Sequence, residues 1–314
     1  MAVFEIKEGW KPKGGNDMIV FEGSATALVA PMNKDYSINY DRFRQLVQRC
    51  VDSNVPAIIV NGTTGEASTL TIEEEHRLLI IAKEVAQDQC KIIAGTGSND
   101  TLYAIEQSRA VEQLGVDGLL IVTPYYNKTS QEGLLKHYQM IADSVKTPII
   151  LYNVPSRTGM LISTDIVEEL AKHKNIVGLK DATGDISYTM EVLRRTKDIE
   201  HFSVYSGNDD IIVPMMAAGA KGVISVISNI YPKETEQLCR YMLQGKINKA
   251  RKLAYAMAPI NNHLFTDVNP INVKAGLSKL GICEETVRLP LIPTTEEKKE
   301  ALYQVMDIFE QMEF

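Results

Sequence analysis

Short, continuously apolar runs rich in β-branched residues alternate with longer amphipathic stretches along most of this 314-residue chain. Runs that are continuously apolar rather than alternating indicate strands covered on both faces, which is typical of a parallel sheet. The eight runs begin at Ser24, Ala57, Lys91, Gly118, Pro148, Ile176, Phe202 and Gly222. Eight successive strand–helix units favour a closed barrel over an open doubly wound sheet, so we predict an α/β protein with a (β/α)8 TIM barrel.

The stretches between the runs have helical periodicity. In residues 41–53 the apolar positions fall on one helical face, formed by Phe43, Leu46, Val47, Cys50 and Val51. Further helical stretches follow the eighth run. We therefore assign residues 18–231 to the barrel and residues 232–314 to a C-terminal helical appendage that does not fold as a separate unit.

Residues 1–17 differ in composition from the rest of the chain. They contain the only tryptophan, Trp10, and end in Gly, Asn and Asp residues. We interpret them as an N-terminal extension, either native or left over from cloning, with Met18 as a start for the body of the protein. They lack the charged-then-apolar pattern of a signal peptide, so a cytoplasmic location is expected.

Composition argues against several classes of function. A net charge of −7 disfavours nucleic-acid binding, which needs a basic surface. No apolar run approaches about 18 residues, so no membrane span is expected. The four cysteines are scattered without a CxxC pair, and the five histidines lack metal-binding spacing. We therefore expect reduced thiols and no metal site.

Polar residues follow the predicted strands at their C-terminal ends, where (β/α)8 barrels carry their chemistry. The second run ends in NGTTGE, the fourth in TPYYN, the fifth in YNVPSRTG, the sixth in KDATG and the seventh in SGND. Acids are scarce among these ends, so a catalytic metal is not expected. Asp209 and Asp210 are expected to cap the helix after the seventh strand instead of binding an ion.

Two patterns disfavour a nucleotide cofactor and a phosphorylated substrate. The sequence GTGSND from Gly95 begins like a dinucleotide-binding fingerprint, but Asp100 stands where the third glycine belongs. The eighth run ends in SNIYP, without the glycine-rich loop that usually binds phosphate in such barrels.

Lys180 interrupts the sixth apolar run. Most lysines are solvated surface residues, but this one follows Ile176, Val177 and Leu179, which are expected to form barrel wall. Low-dielectric surroundings lower the pKa of a lysine, and the neutral amine can form a Schiff base with a carbonyl compound. A structural ion pair with Asp181 is the alternative, although adjacent strand residues point to opposite faces.

Two other strand ends supply further candidates. Tyr152 either packs in the core or shuttles protons beside an imine, because a phenol can both donate and accept. Arg157 is either a surface loop residue or a fork for a carboxylate. Thr63 and Thr64 lie in a turn bounded by glycines, and they either hold a carboxylate or cap the next helix.

In combination, the motifs GTTGE, PYYN, YNVPSRTG, GLKDATG and GVISV resemble the dihydrodipicolinate synthase family. That family belongs to the pyruvate-dependent class I aldolases, which include N-acetylneuraminate lyase. The resemblance extends from Met18 to about the C-terminus and includes NPINVKAGL from Asn269. It implies condensation of pyruvate with L-aspartate-4-semialdehyde, in diaminopimelate and lysine biosynthesis, without a cofactor.

The resemblance also implies catalytic roles. Lys180 would form the Schiff base with pyruvate, and Tyr152 would relay protons. Thr63 would link Tyr152 to Tyr126, which the family supplies across a subunit interface. A tight dimer that shares Tyr126, and a homotetramer made of two such dimers, are therefore implied.

The same resemblance implies binding roles. Thr64 would hold the pyruvate carboxylate, and Arg157 would hold the carboxylate of the semialdehyde. Gly207 and Ile224 would line the pocket near the bound adduct. The arginine of SRTG favours a synthase over N-acetylneuraminate lyase, which is the main alternative. The presence of both Lys180 and Tyr152 disfavours a catalytically silent barrel that only binds a small acid.

Feedback inhibition by lysine is expected to be weak or absent. Feedback-sensitive members of the family tend to carry histidines after GTTGE and a glutamate in the helix that follows GTG. Here Ala67, Ser68 and Ile72 occupy the first region, and Tyr103 lies at about the place of the glutamate. Tyr125 is retained.

Overall fold

The structure is a computed structural model that describes residues 20–312. The extension assigned to residues 1–17, and Met18, lie outside the described residues. Within residues 20–312, no helix is both long and apolar enough to cross a membrane.

Parallel strands form a closed barrel in which neighbours along the chain are also neighbours in the sheet. In the described part of the chain its eight strands are β1 Gly23–Ala27, β2 Ala57–Val60, β3 Lys91–Gly95, β4 Gly118–Val122, β5 Ile149–Asn153, β6 Ile176–Asp181, β7 Ser203–Ser206 and β8 Gly222–Ser225. The pairing of β1 with β8 closes the ring, with Gly23 opposite Gly222. Each strand coincides with one of the predicted apolar runs, so the predicted (β/α)8 barrel is confirmed.

Helices follow the strands and cover the outside of the barrel. They are α1 Tyr40–Asp52, α2 Ile72–Ala86, α3 Thr101–Glu112, α4 Gln131–Ser144, α5 Pro155–Thr158, α6 Thr164–Ala171, α7 Ile186–Thr196, α8 Ile212–Ala218 and α9 Pro232–Leu243. The buried face of α1 is the one that its periodicity predicted. Side chains fix several helix starts, because Thr71 and Glu74 form a capping box at α2 and Asp100 caps α3.

Within residues 20–312, four α-helices follow the last barrel strand. Helix α9 packs against β1 and β8, so it is the helix of the eighth strand–helix unit. It is followed by α10 Ile247–Leu264, α11 Ile271–Lys279 and α12 Glu296–Glu310. Helix α10 packs against α9 and α12, and α11 packs against α10 and α12. The division of the chain between residues 231 and 232 stays a prediction.

Apolar side chains form two layers, one inside the barrel and one between the barrel and its helices. The inner layer is the smaller and includes Ile59, Ile150 and Ile224. At its N-terminal end Phe21 stacks on Tyr205, with 4.3 Å between the ring centroids, and the Tyr205 hydroxyl donates to the Phe21 carbonyl at 2.9 Å. Side chains therefore fill this end of the barrel, and the opposite end is left for a cavity.

Candidate active site

A cavity of about 580 Å³ lies at the C-terminal ends of the barrel strands. It is lined by residues that follow or end β2, β5, β6 and β7, among them Lys180, Tyr152, Thr63, Thr64, Arg157 and Gly207. These are six of the eight site residues expected from the sequence. Because they are far apart along the chain, closure of the barrel is what brings them together.

Lys180 is the fifth residue of β6, and its side chain reaches the cavity. In the register of the sheet it lies opposite Tyr152 of β5 and Tyr205 of β7. The residue is 6% exposed, and its Nζ lies 4.3 Å from the centroid of the Tyr152 ring. Lys180 is therefore a buried amine facing an aromatic ring, and the surface alternative does not apply to it.

The Asp181 carboxylate belongs to a different network. Its Oδ2 accepts a hydrogen bond from Thr189 Oγ1 at 2.6 Å, and its Oδ1 accepts one from Thr183 N at 2.9 Å. Burial raises the pKa of Asp181, and the hydrogen bonds from Thr189 and Thr183 act in the opposite direction. Asp181 thus ties β6 to α7, which rules it out as the ion-pair partner of Lys180.

Tyr152 and Thr63 both line the cavity. The ring of Tyr152 packs in the inner layer of the barrel, which fixes its direction. Among residues 20–312, neither the Tyr152 hydroxyl nor the Thr63 hydroxyl has a hydrogen-bond partner. Both hydroxyls are therefore free to contact a substrate or a group from a second subunit.

Thr64 lies in the tight turn between β2 and α2. Gly65 N donates to Gly62 O, and Glu66 N donates to Thr63 O, both at 3.1 Å. The Thr64 hydroxyl is buried and accepts a hydrogen bond from Asn269 Nδ2 at 2.9 Å. Helix α2 is capped by another threonine further along, so the helix-capping alternative does not hold for this turn.

Arg157 lies on the short helix α5, immediately after β5. Its guanidinium is exposed on one side and lines the cavity on the other. Nη2 makes a long contact of 3.5 Å with the carbonyl oxygen of Asn269. Most of the donors on this guanidinium remain free, which suits it to a carboxylate that enters the cavity.

Gly207 approaches the end of β6 so closely that a side chain would not fit. Its N–H donates to the Asp181 carbonyl at 2.7 Å, and a Cβ built on it would lie 2.6 Å from the Ala182 Cβ. Ile224 of β8 is fully buried in the inner layer and is not among the residues that line the cavity, whereas Val226 does line it. A role of Ile224 near a bound adduct stays a prediction.

The expectation that Asp209 caps the helix after β7 is wrong. Its Oδ2 accepts hydrogen bonds from the backbone N–H groups of Val226, at 2.8 Å, and Ile227, at 2.9 Å. The carboxyl is buried, and burial raises its pKa, while these hydrogen bonds and the charge of Lys180 oppose the shift. Asp209 therefore joins the ends of β7 and β8 around the cavity.

Tyr126 lies outside the cavity of the single chain. It is 91% exposed in the loop after β4, and its φ of 70° places the backbone in the left-handed region. Its neighbour Tyr125 does line the cavity. An exposed tyrosine at this position is available to a second subunit, and a single chain does not test whether one receives it.

An outer arm of the cavity extends past the threonine turn. It is lined by Ser68, Ile72, Glu75, Tyr103 and Tyr125. Burial raises the pKa of Glu75 to about 7. The arm therefore contains a carboxyl group that titrates near neutral pH, beside two phenols.

Three residues next to the site were not among the candidates derived from the sequence. Asn269 bonds to Thr64, and a buried ion pair between Glu66 and Lys274 lies immediately behind the same turn. Lys274 sits in the apolar stretch INVKAGL, which is the same kind of signal that singled out Lys180. That signal was available, but its meaning depends on a partner more than 200 residues away.

The fold and the site together define a class. A (β/α)8 barrel with a buried lysine at the end of β6 and a tyrosine beside it has the parts of a Schiff-base-forming enzyme. Within residues 20–312, no group of three or more His, Cys, Asp or Glu residues could hold a metal ion. The chain belongs to the dihydrodipicolinate synthetase family, whose pattern it matches over residues 20–309.

Named relatives agree with this assignment. The chain is 45% identical over 287 residues to a 4-hydroxy-tetrahydrodipicolinate synthase of Exiguobacterium sibiricum, and the match covers 91% of this chain and 97% of the relative. A monomeric dihydrodipicolinate synthase variant has a similar structure, with a TM-score of 0.92, 36% identity and coverage of 95% and 99% of the two chains. The dihydrodipicolinate synthase of Acinetobacter baumannii, solved with pyruvate, gives a TM-score of 0.89, 40% identity and coverage of 93% and 99%. The family predicted from the motifs is therefore confirmed.

Proposed function

We propose that this protein is a 4-hydroxy-tetrahydrodipicolinate synthase, which condenses pyruvate with L-aspartate-4-semialdehyde in diaminopimelate and lysine biosynthesis. The observation that carries the proposal is the position of Lys180, buried beside Tyr152 at the wall of a cavity that also holds Thr64 and Arg157. The similar synthase of Acinetobacter baumannii, solved with pyruvate, supports pyruvate as one of the substrates.

The first half of the reaction activates pyruvate. The neutral amine of Lys180 attacks the keto carbon, and loss of water gives a protonated imine that withdraws electrons from the methyl group. Removal of a methyl proton then gives an enamine. Tyr152 moves these protons, because its ring packs against the lysine nitrogen and its hydroxyl has no partner among residues 20–312.

The second half forms a carbon–carbon bond and closes a ring. The enamine carbon attacks the aldehyde carbon of the semialdehyde, and the oxygen formed there takes up a proton. The amino group of the semialdehyde then attacks the imine carbon and displaces the Lys180 amine. The cyclic product is a hydroxy-tetrahydrodipicolinate, and the enzyme is regenerated without an external cofactor.

Two carboxylate sites orient the substrates. Thr64, with its turn, holds the carboxylate of pyruvate, because its hydroxyl lines the cavity and accepts from Asn269, which leaves its own proton to donate. Arg157 holds the carboxylate of the semialdehyde through its free donors. The presence of this arginine favours the synthase over N-acetylneuraminate lyase, whose larger substrate is a polyhydroxy sugar acid.

The assembly expected of the active enzyme is a dimer that shares Tyr126, and two such dimers form a homotetramer. The exposure of Tyr126 supports this arrangement. The monomeric variant among the similar structures is a synthase that does not assemble, so the fold itself does not require subunit contacts. The cytoplasm is the compartment that suits the four cysteines, all of which are buried and free.

Trapping of the imine tests the proposal. Borohydride is added to the protein with pyruvate, and the tryptic peptides are weighed by mass spectrometry. A pyruvate-sized mass increase on the Lys180 peptide supports the aldolase chemistry, and the K180R variant is the control that should show none. Absence of an adduct from the parent protein points to a silent barrel. Turnover of aspartate-4-semialdehyde or of N-acetylneuraminate then distinguishes synthase from lyase.

A further inference from the structure

A second lysine lies deep in the protein next to the active-site turn. Lys274 of α11 has no exposed surface, and its Nζ donates to the Glu66 carboxylate and, at 2.8 Å, to the Thr286 carbonyl. Burial lowers the pKa of Lys274, and the charge of Glu66 opposes that effect. Since a buried charge is tolerated only with partners, each member of this pair depends on the other.

Glu66 is the last residue of the GTTGE motif and follows the threonine turn directly. It is almost fully buried, and its φ of 55° lies in the left-handed region, which is unfavourable for a residue with a side chain. Its second carboxylate oxygen accepts a hydrogen bond from Arg288 N at 3.0 Å. Contacts from the C-terminal region therefore hold this end of the turn in an otherwise disfavoured conformation.

The same C-terminal region also holds the turn at Thr64. Asn269, just before α11, donates to the Thr64 hydroxyl, and the Arg288 guanidinium donates to the Thr69 carbonyl at 2.7 Å. The turn is thus fixed at three successive points by residues that come after the barrel. Of these contacts, the Glu66–Lys274 pair is the buried ion pair, with side-chain exposures of 2% and 0%.

We propose that Lys274 is a positioning residue, which holds Glu66 and thereby sets the placement of Thr64 for the carboxylate of a small 2-oxo acid. The inference rests on the proposed function, because it assumes that pyruvate binds at this turn. Hydroxyl and N–H donors bind a carboxylate well only when their placement is accurate to a fraction of an ångström. A barrel strand alone does not fix a turn to that accuracy, whereas a buried ion pair behind the turn does.

The first test replaces Lys274 by methionine, which has a similar length and no charge. K274M is expected to raise the half-saturating pyruvate concentration in borohydride trapping about tenfold, the size of a weakened hydrogen bond to a charged group. The turnover number at saturating pyruvate should change much less. K279M is the matched control, because Lys279 is on the same helix and pairs with Asp307 of α12, away from the turn. It should leave half-saturation unchanged.

A second variant separates positioning from stability. Removal of one partner of a buried pair destabilises a protein, whereas removal of both charges is often tolerated. E66Q/K274M is therefore expected to regain the denaturation midpoint of the parent, while its half-saturating pyruvate concentration stays raised. The proposal is overturned if half-saturation returns to the parent value together with stability, or if folded K274M binds pyruvate normally. If K274M does not fold, the half-saturating pyruvate concentration of E66Q/K274M alone tests the proposal.

Hydrogen exchange of the unmodified chain gives a third measurement that needs no variant. The proposal expects the amides of residues 65–67, which bond to the Gly62 and Thr63 carbonyls, to exchange about as slowly as those of β3, because the ion pair holds the turn closed. Fast exchange there would contradict a rigid turn. Failure of the parent protein to trap pyruvate would instead contradict the proposed function, so the two failures are distinguishable.

Discussion

The Nζ of Lys180 lies 4.3 Å from the centroid of the Tyr152 ring, and the two residues are directly opposite each other on adjacent strands. Their separation is set by the hydrogen-bond register of β5 and β6, so it does not depend on a mobile loop. Both side chains point to the inside of the barrel, where alternate residues of each strand meet. The nucleophile and its proposed proton carrier are therefore held by two adjacent barrel strands and not by a loop.

Removal of the Tyr152 hydroxyl should slow turnover without abolishing Schiff-base formation. Y152F keeps the ring that packs against Lys180 and loses only the group that moves protons, so kcat is expected to fall by about 10²- to 10⁴-fold. Steady-state kinetics and borohydride trapping of the same sample check this. Y205F is the control, because Tyr205 also lies opposite Lys180 but its hydroxyl bonds to the Phe21 carbonyl. Equal losses in both variants would contradict the prediction.

Replacement of Arg157 should affect the second substrate. R157A removes the proposed donors for the semialdehyde carboxylate, so the KM for aspartate-4-semialdehyde is expected to rise about ten- to a hundredfold. The KM for pyruvate and the trapping of its imine should stay near the parent values, because Thr64 holds the first carboxylate. A rise in the pyruvate KM alone would assign Arg157 to the other substrate.

Glu75 should make stability depend on pH near neutrality. Its folded-state pKa of about 7 lies above the ordinary value of 4.5, so the folded protein binds the proton more tightly than the unfolded chain. The contribution of Glu75 to the free energy of unfolding is therefore fully present below pH 4.5 and is lost as pH rises through 7. E75Q stays neutral at every pH. Its free energy of unfolding, relative to that of the parent, should therefore rise by about 1–3 kcal/mol between pH 5 and pH 8.

Urea denaturation of both proteins at several pH values between 5 and 8 measures this difference. E73Q is the control, since Glu73 is an exposed residue on the same turn of α2. It should leave the pH dependence of the parent unchanged. A difference in the free energy of unfolding between E75Q and the parent that is the same at all pH values would contradict a raised pKa of Glu75.

The barrel and its lysine could be predicted because their signals are local. Each strand has a continuous apolar run in the sequence. Lys180 is preceded by apolar residues of its run, whereas Lys91 only begins one. Residue order along β6 also predicted correctly that Asp181 points away from Lys180. These inferences need only the periodicity of one strand.

The contacts that hold the site in place could not be predicted in the same way. Thr64 bonds to Asn269, which is 205 residues further along the chain, and no local pattern joins them. Asp209 was misassigned because an acid before a helix resembles an N-cap, whereas the N–H groups of Val226 and Ile227 compete successfully for it. Tertiary packing decides such cases.

Lysine is expected to inhibit weakly or not at all. The outer arm of the cavity presents Ile72 and the phenol of Tyr103, at places where feedback-sensitive members of the family tend to carry a histidine and a glutamate. An amino acid would thus lack these two partners, and the Glu75 carboxyl is the one acid among the residues of the arm. Initial rates with lysine from micromolar to millimolar concentrations check this, and half-inhibition at sub-millimolar lysine would contradict it.

Tyr126 should act in a neighbouring subunit and not in its own. It is exposed and lies outside the cavity of its own chain, while Tyr125 lines that cavity. If a second chain receives the Tyr126 phenol, Y126F should lower kcat by about ten- to a hundredfold, because a proton path is lost. Specific activity of the parent should also fall when the enzyme is diluted until dimers dissociate, as gel filtration or mass photometry at the same concentrations would show.

Complementation between two impaired variants gives the sharper measurement. A dimer of one Y126F chain and one K180R chain contains one site with both an intact Lys180 and an intact Tyr126, but only if the tyrosine crosses the interface. Co-refolding equal amounts should therefore restore about a quarter of the parent activity, because half of the dimers are mixed and each has one functional site. Mixtures of K180R with Y152F should stay inactive, since Lys180 and Tyr152 lie in the same chain's cavity. No recovery in the first mixture, when mixed dimers are demonstrably present, would place Tyr126 outside the shared site.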